Sequence, residues 1–136
     1  MLAVAAGAER MTQAMRSLEA AFLIGVEGVT EIWLVRHGDC YENMAEGPDP
    51  PLSALGRRQA ERLAERVHRN GAAAIYSSPY RRAVETARII GKDVREDRRL
   101  VEIELELGDD SALEFKETAV NVVERMRSAI DTASSG

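Results

Sequence analysis

Apolar residues along the chain change period several times, and each change marks an element. Met11, Met15, Leu18 and Phe22 recur at helical spacing, which predicts an amphipathic helix over residues 8–24. Gly25 and Gly28 break that pattern, and the "EIWLV" run then predicts a short buried strand at 31–35. The loop "EGPDPPLS" leads to Ser53, suited to cap a helix that carries Leu55, Leu63 and Val67 and stops at Asn70-Gly71. "AAAIYS" predicts a second buried strand. Ser78-Pro79 predicts the next helix, with serine as N-cap and proline at the first helical position, Val84, Ala87 and Ile90 inward, and Gly91 at its end. From 100 to 107, "LVEIELEL" alternates with the period of a half-buried strand. A last helix is expected over 112–132, before a "SSG" tail.

Strands alternating with helices of this length predict βαβ units, a parallel sheet and the α/β class. In such sheets ligands bind outside the carboxyl ends of the strands. The two strand ends here carry "RHG" and "SSPYRRA". Neighbouring strands lie about 4.8 Å apart, so these loops share one pocket if their strands pair. That pocket contains Arg36, His37, Arg82 and the helix N-terminus near Pro79. Two guanidiniums and a helix N-terminus suit a dianion such as a phosphoryl group. A neutral imidazole among them is a nucleophile for phosphorus. Gly38, without a Cβ, lets the backbone pass close to a ligand.

Composition narrows the classes further. At 136 residues, 45% of them hydrophobic and 30% charged, the chain has the makeup of one small globular domain. A formal net charge of −5 argues against non-specific binding to nucleic acid or anionic membrane. The single cysteine, Cys40, excludes an intrachain disulfide and is expected to be a small buried residue. No Cys/His cluster has zinc-site spacing, no metal or other cofactor is expected, and no apolar run approaches the length that spans a bilayer. Glu9 and Arg10 interrupt any signal-peptide core, so a cytoplasmic location is expected.

Three linked blocks then carry a resemblance. "LVRHG" followed by Asn43, "PLSALGRRQA", and "IYSSPYRRAVETA" stand in the order and spacing of the histidine phosphatase superfamily, which includes the cofactor-dependent phosphoglycerate mutases. The resemblance implies a three-layer α/β sandwich with a mainly parallel sheet. It implies His37 as the residue that becomes phosphorylated, and Arg36, Asn43 and Arg82 as phosphate ligands. Arg82 is favoured over Arg81 because it directly precedes Ala83; Arg81 reads as a helix-surface charge. The family's proton-donating glutamate aligns with Glu102 through "RLVEI", whereas counting back from Gly108-Asp109 selects Glu104. The Glu102, Glu104, Glu106 row also fits one solvated strand face. Two departures stand out: the family's Trp-Glu-Gly is absent, and Cys40 replaces the Thr or Ser usual in mutase-like members. "RHGD" in a compact chain is also similar to the small branch that removes phosphate from phosphohistidine on proteins, but the downstream blocks fit the mutase-like branch better.

The resemblance further implies a second histidine in a Ser-His-Gly-like context after a later core strand. The chain has two histidines, and His68, in "ERVHRN" near the end of a polar helix, reads as a surface residue. The sequence is thus expected to be the front part of the family fold, incomplete at the C-terminus. Residues 1–28 form a helical extension and 29–136 a partial histidine phosphatase domain. The implied function is a phosphatase or phosphomutase acting on small phosphate esters through a phosphohistidine, impaired by the missing histidine. The alternatives are a non-catalytic remnant that still binds phosphoryl ligands, or a protein phosphohistidine phosphatase. The expected partners are a small phosphorylated substrate and, through an unpaired sheet edge at Ile32 and Leu34, other copies of the chain.

Overall fold

The structure, a computed structural model, describes residues 30–135, so the helix predicted over 8–24 lies outside the described residues. The chain divides into two compact units, 1–33 and 34–136. Of the first unit only residues 30–33 are described, and there the Trp33 indole N–H donates to the Glu31 carboxylate.

The second unit contains two helices that pack together, α1 (Ala54–Asn70) and α2 (Arg81–Ile90), with strand β1 (Ile75–Ser77) between them in sequence. Ser53 caps α1 as its spacing predicts, accepting the Gly56 N–H at 3.0 Å. Gly71 ends the helix with φ of +74°, a conformation that favours glycine, and its N–H closes on the Val67 carbonyl at 2.8 Å. The buried face of α1 is built from Gly56, Ala60, Ala64 and Val67; Leu55 is exposed and Leu63 half-buried. Small residues on this face let the α1 and α2 backbones approach closely. Val84, Ala87 and Ile90 of α2 are buried as the pattern predicts, and Ala64, Val67 and Ile90 form the core with Leu63 and Ile75 against it.

The fold is α/β, with a small parallel sheet. Strand β2 (Val94–Glu96) follows α2 and pairs in parallel with β1, in the register Ile75↔Val94, Tyr76↔Arg95 and Ser77↔Glu96. Further on, β3 (Leu105–Leu107) and β4 (Leu113–Phe115) form an antiparallel hairpin. Helix α3 (Ala119–Ser135) closes the chain. It docks on the 3-10 turn Arg98–Leu100: Arg99 Nη1 donates to Ser128 Oγ at 2.7 Å and Arg125 Nη1 to the Arg99 carbonyl at 2.7 Å. Asp97 holds Arg99 in place through Nη2–Oδ2 at 2.6 Å, and Glu117 pairs with Arg125.

Five expectations are corrected. Residues 31–35 form no strand, and Ile32, Trp33, Leu34 and Val35 are exposed, Leu34 by 73%. A strand requires a ladder partner, and none pairs with this run among the described residues. The unpaired sheet edge expected at Ile32 and Leu34 is therefore not a strand edge either. α2 begins at Arg81, not at Pro79, and the hydroxyl of Ser78 does not cap it. The run 100–107 is not one half-buried strand: only 105–107 is extended in a ladder, and Leu105 and Leu107 are exposed. The last helix starts at Ala119, because residues 113–115 pair as β4 and Thr118 Oγ1 accepts the Asn121 N–H at 3.3 Å.

Candidate functional site

The loop carrying His37 is gripped by both packed helices. Gly38 meets the first turn of α1 backbone to backbone: a Cβ there would lie 2.5 Å from the Gly56 carbonyl oxygen, and one on Gly56 would lie 2.1 Å from that of Asp39. The missing side chain of Gly38 therefore serves this close packing, where the sequence suggested approach to a ligand. The Gly38 N–H donates to Thr86 Oγ1 at 3.0 Å, and Thr86 in turn donates to the Arg82 carbonyl at 2.8 Å. On the other side, the Asp39 N–H donates to Gln59 Oε1 at 2.8 Å and Ser53 Oγ to Asp39 Oδ2 at 2.5 Å. Fixing the backbone on either side of residue 38 fixes the imidazole that precedes it.

His37 Nδ1 lies 2.7 Å from the Gly38 carbonyl oxygen, and Arg82 Nε lies 3.2 Å from His37 Nε2. A guanidinium only donates, so Nε2 is the acceptor and the ring proton sits on Nδ1. The half-buried imidazole thus presents the Nε2 lone pair to Arg82.

Arg82 is the hub of the cluster. Its side chain is 11% exposed, and its guanidinium uses three directions: Nε toward His37, Nη2 toward Glu102 Oε1 at 2.6 Å, and Nη1 toward Asp49 Oδ1 at 3.5 Å. Its Cζ lies 4.7 Å from the centroid of the Tyr80 ring, a cation–π distance. Asp49 also accepts the Arg81 backbone N–H, at 2.8 and 3.0 Å, and so caps α2 from a loop 32 residues earlier. The exposed Arg81 side chain pairs with Glu85 at 3.1 Å.

The two glutamates that the sequence left open occupy different places. Glu102 is bound to Arg82, whereas Glu104 accepts the Tyr80 hydroxyl at 2.8 Å and pairs with Lys116 at 3.4 Å. Hydrogen bonding to Tyr80, then to Lys116, holds the Glu104 carboxyl below the usual range. The same bond raises the Tyr80 phenol, because a phenolate would face a carboxylate.

His37, Arg82 and Glu102 are therefore brought into contact, and the other predicted residues are not joined to them. Arg36 is exposed and makes no ion pair among the described residues. Asn43 Nδ2 donates to the Pro51 and Leu52 carbonyls at 3.2 and 3.0 Å, tying the 3-10 turn Tyr41–Glu46 to the following loop. Cys40 is buried and free. His68 is exposed, and its Nε2 lies 2.7 Å from the Ile90 carbonyl oxygen at the far end of α2. Sequence reasoning missed Asp49, Tyr80, Thr86 and Glu85, whose carboxylate accepts the Leu52 N–H at 3.0 Å. The i, i+4 spacing of Arg81 and Glu85 was a local signal for Glu85, and Thr86 stands within the "IYSSPYRRAVETA" block. No helix of the described residues is long and apolar enough to cross a membrane.

Comparison with known proteins supplies the family. The family model of the histidine phosphatase superfamily (branch 1) matches residues 32–135. A probable phosphoglycerate mutase GpmB of Proteus mirabilis is 41% identical over 83 residues, covering 55% of this chain and 39% of that protein. The corresponding protein of Enterobacter sp. is 39% identical over 83 residues, with the same coverage. Among solved structures, Bacillus stearothermophilus YhfR is 34% identical with a TM-score of 0.45, covering 71% of this chain and 48% of that one. A mycobacterial glucosyl-3-phosphoglycerate phosphatase is 33% identical with a TM-score of 0.43, covering 71% and 47%. The chain thus spans about two fifths of the length of the curated relatives it matches, 39% for the two mutase-like proteins. With its family match running from the residue after Glu31 through α3, this chain belongs to the histidine phosphatase superfamily.

Proposed function

We propose that the chain binds the phosphoryl group of a small phosphate ester between His37 and Arg82 and transfers it to His37 Nε2. The observation that carries this reading is the 3.2 Å contact of Arg82 Nε with the Nε2 lone pair. A donor aimed at the nucleophilic atom is already placed to meet the oxygens of a phosphoryl group bonded to that atom. In the first step the phosphoryl oxygens take the Arg82 donors from the carboxyl paired with them, the P–Nε2 bond forms and the P–O bond to the alcohol breaks, and the leaving alkoxide takes the proton of that carboxyl in its neutral, released form. Glu102, bound to Arg82, is the better placed of the two glutamates for that role. Water then attacks phosphorus, the P–Nε2 bond breaks, phosphate leaves, and the water proton returns to the carboxylate. Arg36 and the Asn43 amide would complete the phosphate contacts by turning toward His37.

A second reading, a phosphoryl-binding protein with little turnover, is favoured by one observation. The other imidazole of the chain, His68, is engaged with Ile90, eight residues along α2 from Arg82, or about 12 Å at 1.5 Å per residue. Loss of one transition-state donor costs roughly 10²–10³ in rate, so slow turnover is expected.

Hydrolysis of p-nitrophenyl phosphate by the wild-type chain and by His37→Ala tests the proposal. Turnover that disappears in the variant supports the nucleophile. Turnover unchanged by His37→Ala excludes it. Phosphate binding without any turnover selects the second reading.

A further inference from the structure

Arg82, which the proposed function assigns to a phosphoryl group, is also paired with a carboxylate of the loop before α1, that of Asp49. We infer that Asp49 is a built-in competitor for the phosphoryl site, an autoinhibitory contact that an incoming phosphate must displace; this rests on the reading of the site given above. Three observations carry it. Asp49 accepts the Arg81 N–H with both carboxylate oxygens, at 2.8 and 3.0 Å, which places an anion at the N-terminus of α2. The same carboxylate lies 3.5 Å from Arg82 Nη1. Arg82 has its remaining two directions on His37 and Glu102, so no side of this nearly buried guanidinium is without an acceptor.

The geometry of Asp49 fits a displaceable group. Its side chain is 42% exposed, against 11% for Arg82. It stands in the loop between the 3-10 turn and Ser53, two residues after Gly47, whose φ of +126° lies in the region that favours glycine. Turning a loop carboxylate outward costs far less than moving an anchored guanidinium. Charge gives the competition its direction. One guanidinium faces two carboxylates, so a phosphate dianion entering beside Asp49 meets like charge until that side chain leaves. An opposite charge within about 4–6 Å shifts a carboxyl's equilibrium by roughly 10- to 1,000-fold and a like charge acts in the reverse sense; solvent screening at this exposure puts the effect near the lower end.

An α2 cap and a competitor make opposite predictions for one substitution. Asparagine caps a helix as well as aspartate does, and Asp49→Asn keeps an oxygen for the Arg81 N–H while removing the charge. If Asp49 only caps, Asp49→Asn leaves inorganic phosphate affinity unchanged. If it competes, the variant binds inorganic phosphate on the order of tenfold more tightly. Titration calorimetry with inorganic phosphate on the full chain, its fold checked by circular dichroism, reads this directly. Asp49→Ser, which also retains a capping oxygen, gives an independent variant. Tighter binding in both supports the inference. Phosphate binding that is unchanged or weaker in both overturns it and leaves the phosphoryl site standing. Absence of phosphate binding in the folded wild-type chain and in both variants overturns the site and the inference together.

Discussion

Arg82 Nε donates to His37 Nε2 across 45 residues of sequence, at 3.2 Å, and this bond, with the Asp49–Arg81 contact, ties the loop before α1 to the first turn of α2. It fixes the histidine tautomer, since Nε2 accepts and Nδ1 keeps the proton for the Gly38 carbonyl. It also sets what each neighbour contributes: Glu102, Asp49 and Tyr80 all reach the imidazole through this guanidinium.

Replacing Arg82 by lysine is therefore not conservative. A lysine offers one point charge in place of three directed edges, so it cannot serve His37, Asp49 and Glu102 together. Arg82→Lys is expected to lower any His37-dependent turnover by about 10²–10³ and to weaken phosphate binding. Steady-state rates and phosphate titration of the variant check this. A variant within a factor of about two of wild type would show that the planar fork is not used.

The tie between Tyr80 and Glu104 has a spectroscopic signature. Tyr80 ionises above the ordinary phenol range because its hydroxyl donates to Glu104. An alkaline titration followed at tyrosinate absorbance should show a late-ionising component. In Glu104→Gln that component should move down toward the ordinary value of about 10. A titration curve identical in the two proteins would mean that the Tyr80–Glu104 bond does not persist in solution.

Acid should loosen the docking of α3. Asp97 is held below its usual value chiefly by the Arg99 hydrogen bond, and Glu117 chiefly by that of Arg125. A carboxyl whose folded value lies below its unfolded value stabilises the fold fully above the unfolded value of about 4, and that contribution is lost as pH falls through the folded value. Urea unfolding midpoints should thus be flat near neutrality and fall below about pH 4. The double variant Asp97→Asn, Glu117→Gln should be less stable at neutral pH and less sensitive to acid. An equally steep acid limb in the variant would place the responsible carboxyls elsewhere.

Helix α1 was legible in the sequence because its signals are local, whereas the His37–Arg82 contact was expected from a strand pairing that the structure does not contain among the described residues. Ser53 before an apolar period and Gly71 after it bound α1, and the RHG and SSPYRRA blocks each follow apolar runs. The α2 boundary was not legible, because its cap is a tertiary one supplied by Asp49 in a loop that reads only as polar and proline-rich. The strand predicted at 31–35 shows the converse. Apolar β-formers state a propensity, while a ladder depends on a neighbour that no local pattern reveals. The hairpin carries a local signal of its own. Gly108-Asp109-Asp110-Ser111 is turn chemistry, with Ser111 at φ of +63° and Asp110 Oδ1 accepting the Ala112 N–H at 3.1 Å. Its strands place Leu105, Leu107, Leu113 and Phe115 opposite one another, and set Glu106 against Glu114, a like-charge pair.

The most direct test of the central claim is covalent. The full chain is mixed with a small phosphate ester, quenched in alkali to preserve phosphoramidate bonds, and sequenced by tandem mass spectrometry. Phosphate on His37 is predicted in the wild-type chain, absent in His37→Ala and much reduced in Arg82→Ala. A folded wild-type chain that carries no phosphate on His37, or carries it on another residue, would contradict the account.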